Sequence, residues 1–180
     1  MKRGIIILFS IVAMIFGCKK LVKAVFTGAD VNAPTVQITI PVIPLTTGSE
    51  INLGTYSASF NLDSSVKAKT GGLFGADILT SIKIKQVTIT NTNADDLNNL
   101  SNFEYVRVAL YSDNNPTVIN ALTINSTDTY ASTITVNPTD SPDLLPYLQG
   151  SRITYTVYGK NRRPTTKPLD FTINILVRVN

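Results

Sequence analysis

The chain has no histidine, no tryptophan and one cysteine in 180 residues. Without histidine it lacks the usual general base, the commonest transition-metal ligand and the side chain that titrates near neutral pH. One cysteine, Cys18, allows no disulfide within the chain and no Cys/His zinc set. Charge of either sign is sparse: 16 basic and 12 acidic residues, +4 in all. So small an excess gives no electrostatic footprint for nucleic acid. No apolar run reaches the roughly twenty residues that a spanning helix needs. No long stretch repeats apolar residues with helical spacing either. Stability must come from packing alone, and most routes to catalysis are closed.

What is present begins at the N-terminus. Lys2 and Arg3 precede an apolar run from Gly4 to Phe16, and Gly17 stands just before Cys18. This is a secretory signal layout. Ile15-Phe16-Gly17-Cys18 resembles a bacterial lipobox, in which a small residue precedes a cysteine that is lipidated and becomes the new N-terminus. The segment is similar to those of lipoproteins of the Bacteroidetes group. The resemblance covers the first eighteen residues and implies cleavage after residue 17, lipid on Cys18 and attachment to a membrane of the bacterial envelope, the outer membrane being expected. Lys19, Lys20 and Lys23 follow, where surface-exported relatives usually carry acidic residues, so the side of the membrane stays open. Two other readings of the segment are an uncleaved anchor, for which the run is short, and ordinary secretion with cleavage near Ala13. Two or more acyl chains, at ~0.8 kcal/mol per buried CH₂, would hold the protein stably. Loss of Lys2 and Arg3 with the signal lowers the net charge to +2.

Residues 18–34 show no sustained period and read as a lipid-anchored flexible tether. From residue 35 to 180 the pattern is β. Val36, Ile38 and Ile40 alternate with polar neighbours, with Pro41 and Pro44 marking an edge. Tyr56 to Leu62 alternates again, followed by a glycine-rich loop from Lys67 to Gly75. Ile82 and Ile84 have opposite parity to Val87 and Ile89, which one extra residue near Lys85-Gln86 would reconcile as a β-bulge. Further strands are expected at 105–111, 118–124, 132–136, 153–157 and 169–179. Asp95-Asp96 would cap a short helical turn through Leu97 and Leu100. Ser141-Pro142-Asp143 would open a short helix over Leu144, Leu145 and Leu148, closed by Gly150. The expectation is one all-β domain, a β-sandwich of immunoglobulin-like type with seven to eight strands and one short helix; a β-barrel is the alternative.

Motifs suggestive of chemistry dissolve on inspection. Ser64-Ser65-Val66-Lys67, Lys69-Thr70-Gly71 and Ser112-Asp113-Asn114 match the S-x-x-K, K-T-G and S-D-N triplets of penicillin-binding enzymes. The first two are nearly contiguous and out of order, in a chain too short and too β-rich for that fold. Asp95, Asp96 and Asp113 lack the spaced series of oxygens that calcium needs. Glu50 and Glu104, the only glutamates, are not singled out as a glycosidase pair. The glycine-rich loop lacks P-loop spacing, and Asn125-Ser126-Thr127 fits a sequon that a bacterial chain would not use. No metal or cofactor is expected.

Two binding candidates remain. Lys160, Arg162, Arg163 and Lys167 form a basic loop that could grip an anionic glycan or headgroup, against the plainer reading of solvated surface. Leu73 and Phe74 could form an exposed apolar tip, against the plainer reading that they plug one end of the sandwich. The expected function is a non-catalytic structural or binding module of the envelope, held by Cys18 and engaging a protein or glycan. The alternative is a carrier of a lipid or small apolar ligand between the sheets, which an intersheet cavity would favour.

Overall fold

The computed structural model describes residues 26–45, 48–150 and 152–180. The signal segment, Cys18 and Lys19, Lys20 and Lys23 lie outside them. Among the described residues nine strands form two antiparallel sheets. The first holds β1 (Ala29–Asn32), β2 (Val36–Ile40), β4 (Ile82–Asn91), β7 (Thr133–Val136) and β9 (Leu169–Val179). The second holds β3 (Ile51–Ser59), β5 (Phe103–Ser112), β6 (Ile119–Asn125) and β8 (Arg152–Asn161). In the first sheet β9 lies between β4 and the pair β1 and β2, with β7 beyond β4; in the second the order is β3-β8-β5-β6. The sandwich expected from the sequence is there. Its strand order is not that of an immunoglobulin domain, which keeps A beside B and F beside G. Here β2 and β3, β3 and β4, β4 and β5, β6 and β7, β7 and β8, and β8 and β9 all lie in opposite sheets. That alternation is the double Greek key of a jelly roll.

The stretch read as tether contributes to the sheet. Ala29 pairs with Val179 and Asn32 with Leu176, while Val36 to Ile40 pair with Ile173 to Leu169. One edge of β9 is thus covered by two collinear strands, broken at Pro34, which has no N–H to donate. Four residues were too few to show a period. The extra residue expected near Lys85-Gln86 is Lys85, for the register against β9 shifts between Ile84 and Gln86. Its ammonium meets Asp30 at 2.5 Å.

A second helix, α1 (Leu62–Lys69), occupies residues expected as strand end and loop. The Asn61 side chain accepts from the Ser64 N–H at 2.9 Å, Asp63 sits in the first turn, and Lys67 and Lys69 in the last. Capping and dipole complementarity support so short a helix, and Leu62 and Val66 bury its inner side. The expected helix over Leu144 to Leu148 is α2 (Leu145–Leu148). Its lead-in also satisfies the start of β4: Asp143 accepts the Ile82 N–H at 2.8 Å and Ser141 that of Ile84 at 2.9 Å. At the polar 92–102 connection Asp95 does accept turn N–H groups, from Leu97 and Asn98. Asp96 does not share the role, and the helical part is a single 3-10 turn at Leu100–Asn102.

The registers define two ends. The near end carries Val179 and Ile82, the connections containing α1 and α2, and residues 26–28 leading into β1. The far end carries the connections 41–50, 92–102, 126–132 and 162–168.

Candidate functional site

Alternation along each strand sends one apolar set between the sheets. Ile82, Leu169, Val179 and Phe103 are wholly enclosed. At mid-strand the sheets do not close on each other. Ile173 and Ile175 of β9, Val108 of β5, Leu122 of β6, and Ile153 and Tyr155 of β8 face inward yet stay only half-buried. They surround a cavity of about 140 Å³ with no polar surface. A site of that kind offers a water no hydrogen-bond partner; engineered apolar cavities of ~150 Å³ stay dry and admit benzene. At about 24 cal/mol per Å³, the void forgoes roughly 3 kcal/mol of packing.

One flank is formed where the sheet edges face each other. Ala33, Pro34 and Val36 belong to the first sheet's edge, Ala58 and Phe60 to that of the second. Tyr56 fastens this edge. Its ring stacks on Tyr155, centroids 5.7 Å apart, and its hydroxyl donates to the Thr39 carbonyl across the sheets at 3.1 Å. Burial raises the pKa of both tyrosines, so both remain neutral at neutral pH. Outside the cavity at the near end lies an open groove of about 720 Å³, lined by Asn61, Asp63, Asp77 and Gln149. Phe60 and Leu148 line both spaces and form the partition between them.

The four basic candidates do come together at the far end, and each is engaged. Lys160 meets Glu104 at 2.7 Å and Lys167 meets Asp95 at 2.6 Å. Arg163 pairs with Asp128. Arg162 donates to the carbonyls of Ser101 and Phe103 at 2.8 Å and of Ser126 at 3.1 Å. It therefore holds three connections together. Lys167, with Asn98, holds the Asp95 carboxyl at a pKa of about 2. The apolar pair divides. Phe74 turns in against the Phe26 ring, centroids 5.1 Å apart, while Leu73 stands 77% exposed. Thr70 closes α1, accepting the Phe74 N–H, and Gly71 and Gly72 take the positive φ that lifts Leu73 outward.

The enzyme-like triplets are spent on structure. Lys67 pairs with Asp63 at 2.6 Å, and Ser112 Oγ accepts the Asn115 N–H. Glu50 is held by Arg107, which also lies 4.2 Å over the Tyr158 ring, and its carboxyl pKa is lowered by that guanidinium. Among the described residues no three or more acidic or cysteine side chains group as a metal site. Sequence reasoning missed a buried amide cluster at the far end. Asn102 donates to the carbonyls of Leu97 and Pro164 and accepts from the Asn99 N–H, each at 2.9 Å. Asn98 links Asp95 to Thr166. Asn91, Asn98, Asn99 and Asn102 are all buried, and the five asparagines among residues 91–102, just before Phe103, were the available signal.

Two antiparallel sheets with jelly-roll connectivity and an apolar centre define the class of fold. No family and no curated protein sequence matches the chain. Among solved structures, it is similar to the family 32 carbohydrate-binding module of C. perfringens NanJ in complex with galactose. The TM-score is 0.37 and the identity 10%, over 82% of this chain and 99% of that one. Infectious bursal disease virus Gt strain gives 0.35 and 9%, over 85% and 33%, and nora virus 0.36 and 10%, over 87% and 61%. The chain thus spans a third and three-fifths of those two viral chains. Likenesses this distant concern the general outline of a β-sandwich and carry no function across.

Proposed function

We propose that this protein is an exported, lipid-anchored, non-catalytic binding module of a bacterial envelope, and that its binding site is the cavity between the sheets. The observation that carries the reading is a carbon-lined void of about 140 Å³ at the centre of the core between the sheets. A fully packed sandwich would need no such space. The volume fits a compact apolar ligand, about one six-membered ring or a short alkyl segment. A whole lipid does not fit, so of the two carrier ligands expected the small one is favoured. The anchored part of the proposal rests on the signal layout and on Cys18, with β1 leading into the sandwich at one end.

Titration of the processed, full-length protein with benzene or indole tests the site. Saturable binding, with chemical-shift changes confined to Ile175, Val108, Ile153 and their neighbours, is expected. Absence of binding up to the solubility limit would leave the far-end loops, with exposed Leu45, Leu97 and Tyr130, as the face for an envelope protein or glycan. The anchor is tested separately by intact mass and detergent partitioning beside Cys18→Ser. The wild-type chain should lose residues 1–17, gain acyl mass and enter detergent; the variant should do neither.

A further inference from the structure

Several features of the near end belong together. Residues 26–28 lead directly into β1, and Gly28 lies so close to Val179 and Asn180 that a Cβ there would meet them at 2.7 Å. Phe26 packs on Phe74. Leu73, next in the chain to Phe74, is the most exposed of the large apolar side chains described, at 77%. Its backbone is fixed, not loosely hinged. The Gly72 N–H donates to Lys67 O at 2.8 Å and the Leu73 N–H to Thr70 O at 3.2 Å, so the side chain is held away from the domain. The charge beneath it is matched, Lys67 pairing with Asp63 and lying near Asp77, and Lys69 is exposed four residues before the tip.

The covalent chain then sets a distance. Cys18 is eight residues before Phe26, a reach of at most about 29 Å. A lipid on Cys18 therefore holds the Phe26–Phe74 contact, and Leu73 beside it, within about 29 Å of the headgroups. We infer that the sandwich rests on the bilayer by its near end, with Leu73 inserted at the interface and the far-end loops directed away. The inference relies on the lipid anchor proposed above. Since the anchor already confines the domain, a single leucine has only to set orientation, and its insertion need not supply affinity. The groove backed by Phe60 and Leu148 then faces the membrane, where small apolar molecules partition.

The absence of tryptophan makes the test direct. Leu73→Trp and Leu45→Trp, at exposed positions on opposite ends, each give one indole in the acylated full-length chain. Both proteins are reconstituted on phosphatidylcholine–phosphatidylglycerol vesicles, with and without brominated acyl chains. At position 73 the brominated lipid should remove at least half of the emission and shift it to the blue; at position 45 it should remove less than a tenth. Equal quenching at both positions, or none at either while the protein floats with the vesicles, overturns the orientation and leaves the anchor standing. Protein that does not float with the vesicles overturns the anchor and the orientation with it.

Discussion

Replacing Ala58 by isoleucine asks whether the centre of the sandwich is open, and the sign of the answer decides. Ala58 lies on β3 opposite Ile153, facing the cavity. The substitution adds three carbons. At ~0.8 kcal/mol per buried CH₂, full accommodation would stabilise the fold by about 2.4 kcal/mol, within the roughly 3 kcal/mol that the void forgoes. Partial accommodation would give about 1 kcal/mol. In a closed core the same side chain would overpack and cost about 1–3 kcal/mol. Urea unfolding of the two proteins side by side reads the difference as a higher midpoint at unchanged slope. By thermal melting, each kcal/mol corresponds to about 2–4 °C for a domain of this size. The filled variant should also bind benzene at least tenfold more weakly. A lower midpoint for Ala58→Ile would refute the open centre and the ligand site together.

Two further outcomes follow from the far end. Arg162→Ala should destabilise by about 2–4 kcal/mol in urea unfolding, since it strips a cationic donor from three carbonyls on two connections; Arg163→Ala, whose pair with Asp128 is half-exposed, should cost under about 1 kcal/mol. Stability should be flat between pH 5 and 8, where no histidine titrates, and then fall below the ordinary carboxylate values of 3.8 and 4.5. The folded-state values of Asp95, Glu50 and Asp30 are depressed by Lys167, Arg107 and Lys85. Their contribution is therefore present above those values and lost as pH descends through the folded-state ones, toward 2 for Asp95. Urea midpoints measured from pH 8 to 2 check this; a steep change between 5 and 8 would contradict it.

Strands announce themselves locally, and that is why so much of the sandwich is legible in the sequence. Leu169 to Val179 alternates at every position but Leu176, and the parity change at Lys85 marks a bulge whatever the partner strand. Such patterns depend only on one face being wet and the other dry. Helix α1 escaped because its eight residues bury just Leu62 and Val66, a spacing too sparse to show a period. Strand β1 escaped because four residues beside Pro34 have no meaning until β9 offers them an edge. The basic stretch was legible as charge, but Lys160 ends up in β8, and the carboxylate and carbonyl partners lie in β5 and in other connections of the chain.

By itself the sequence determined the chemistry that is excluded, the β period of nearly every strand, and the signal and cysteine on which the anchor is proposed. These are properties of composition and of neighbours along the chain. The tertiary structure alone decided which strands became neighbours, that Arg162 ties loops together, and that an apolar void lies between the two sheets. Each of these depends on residues far apart in sequence. Pairing across a jelly roll, and the gap left where opposing side chains fall short of one another, are sums over both sheets that no local pattern carries.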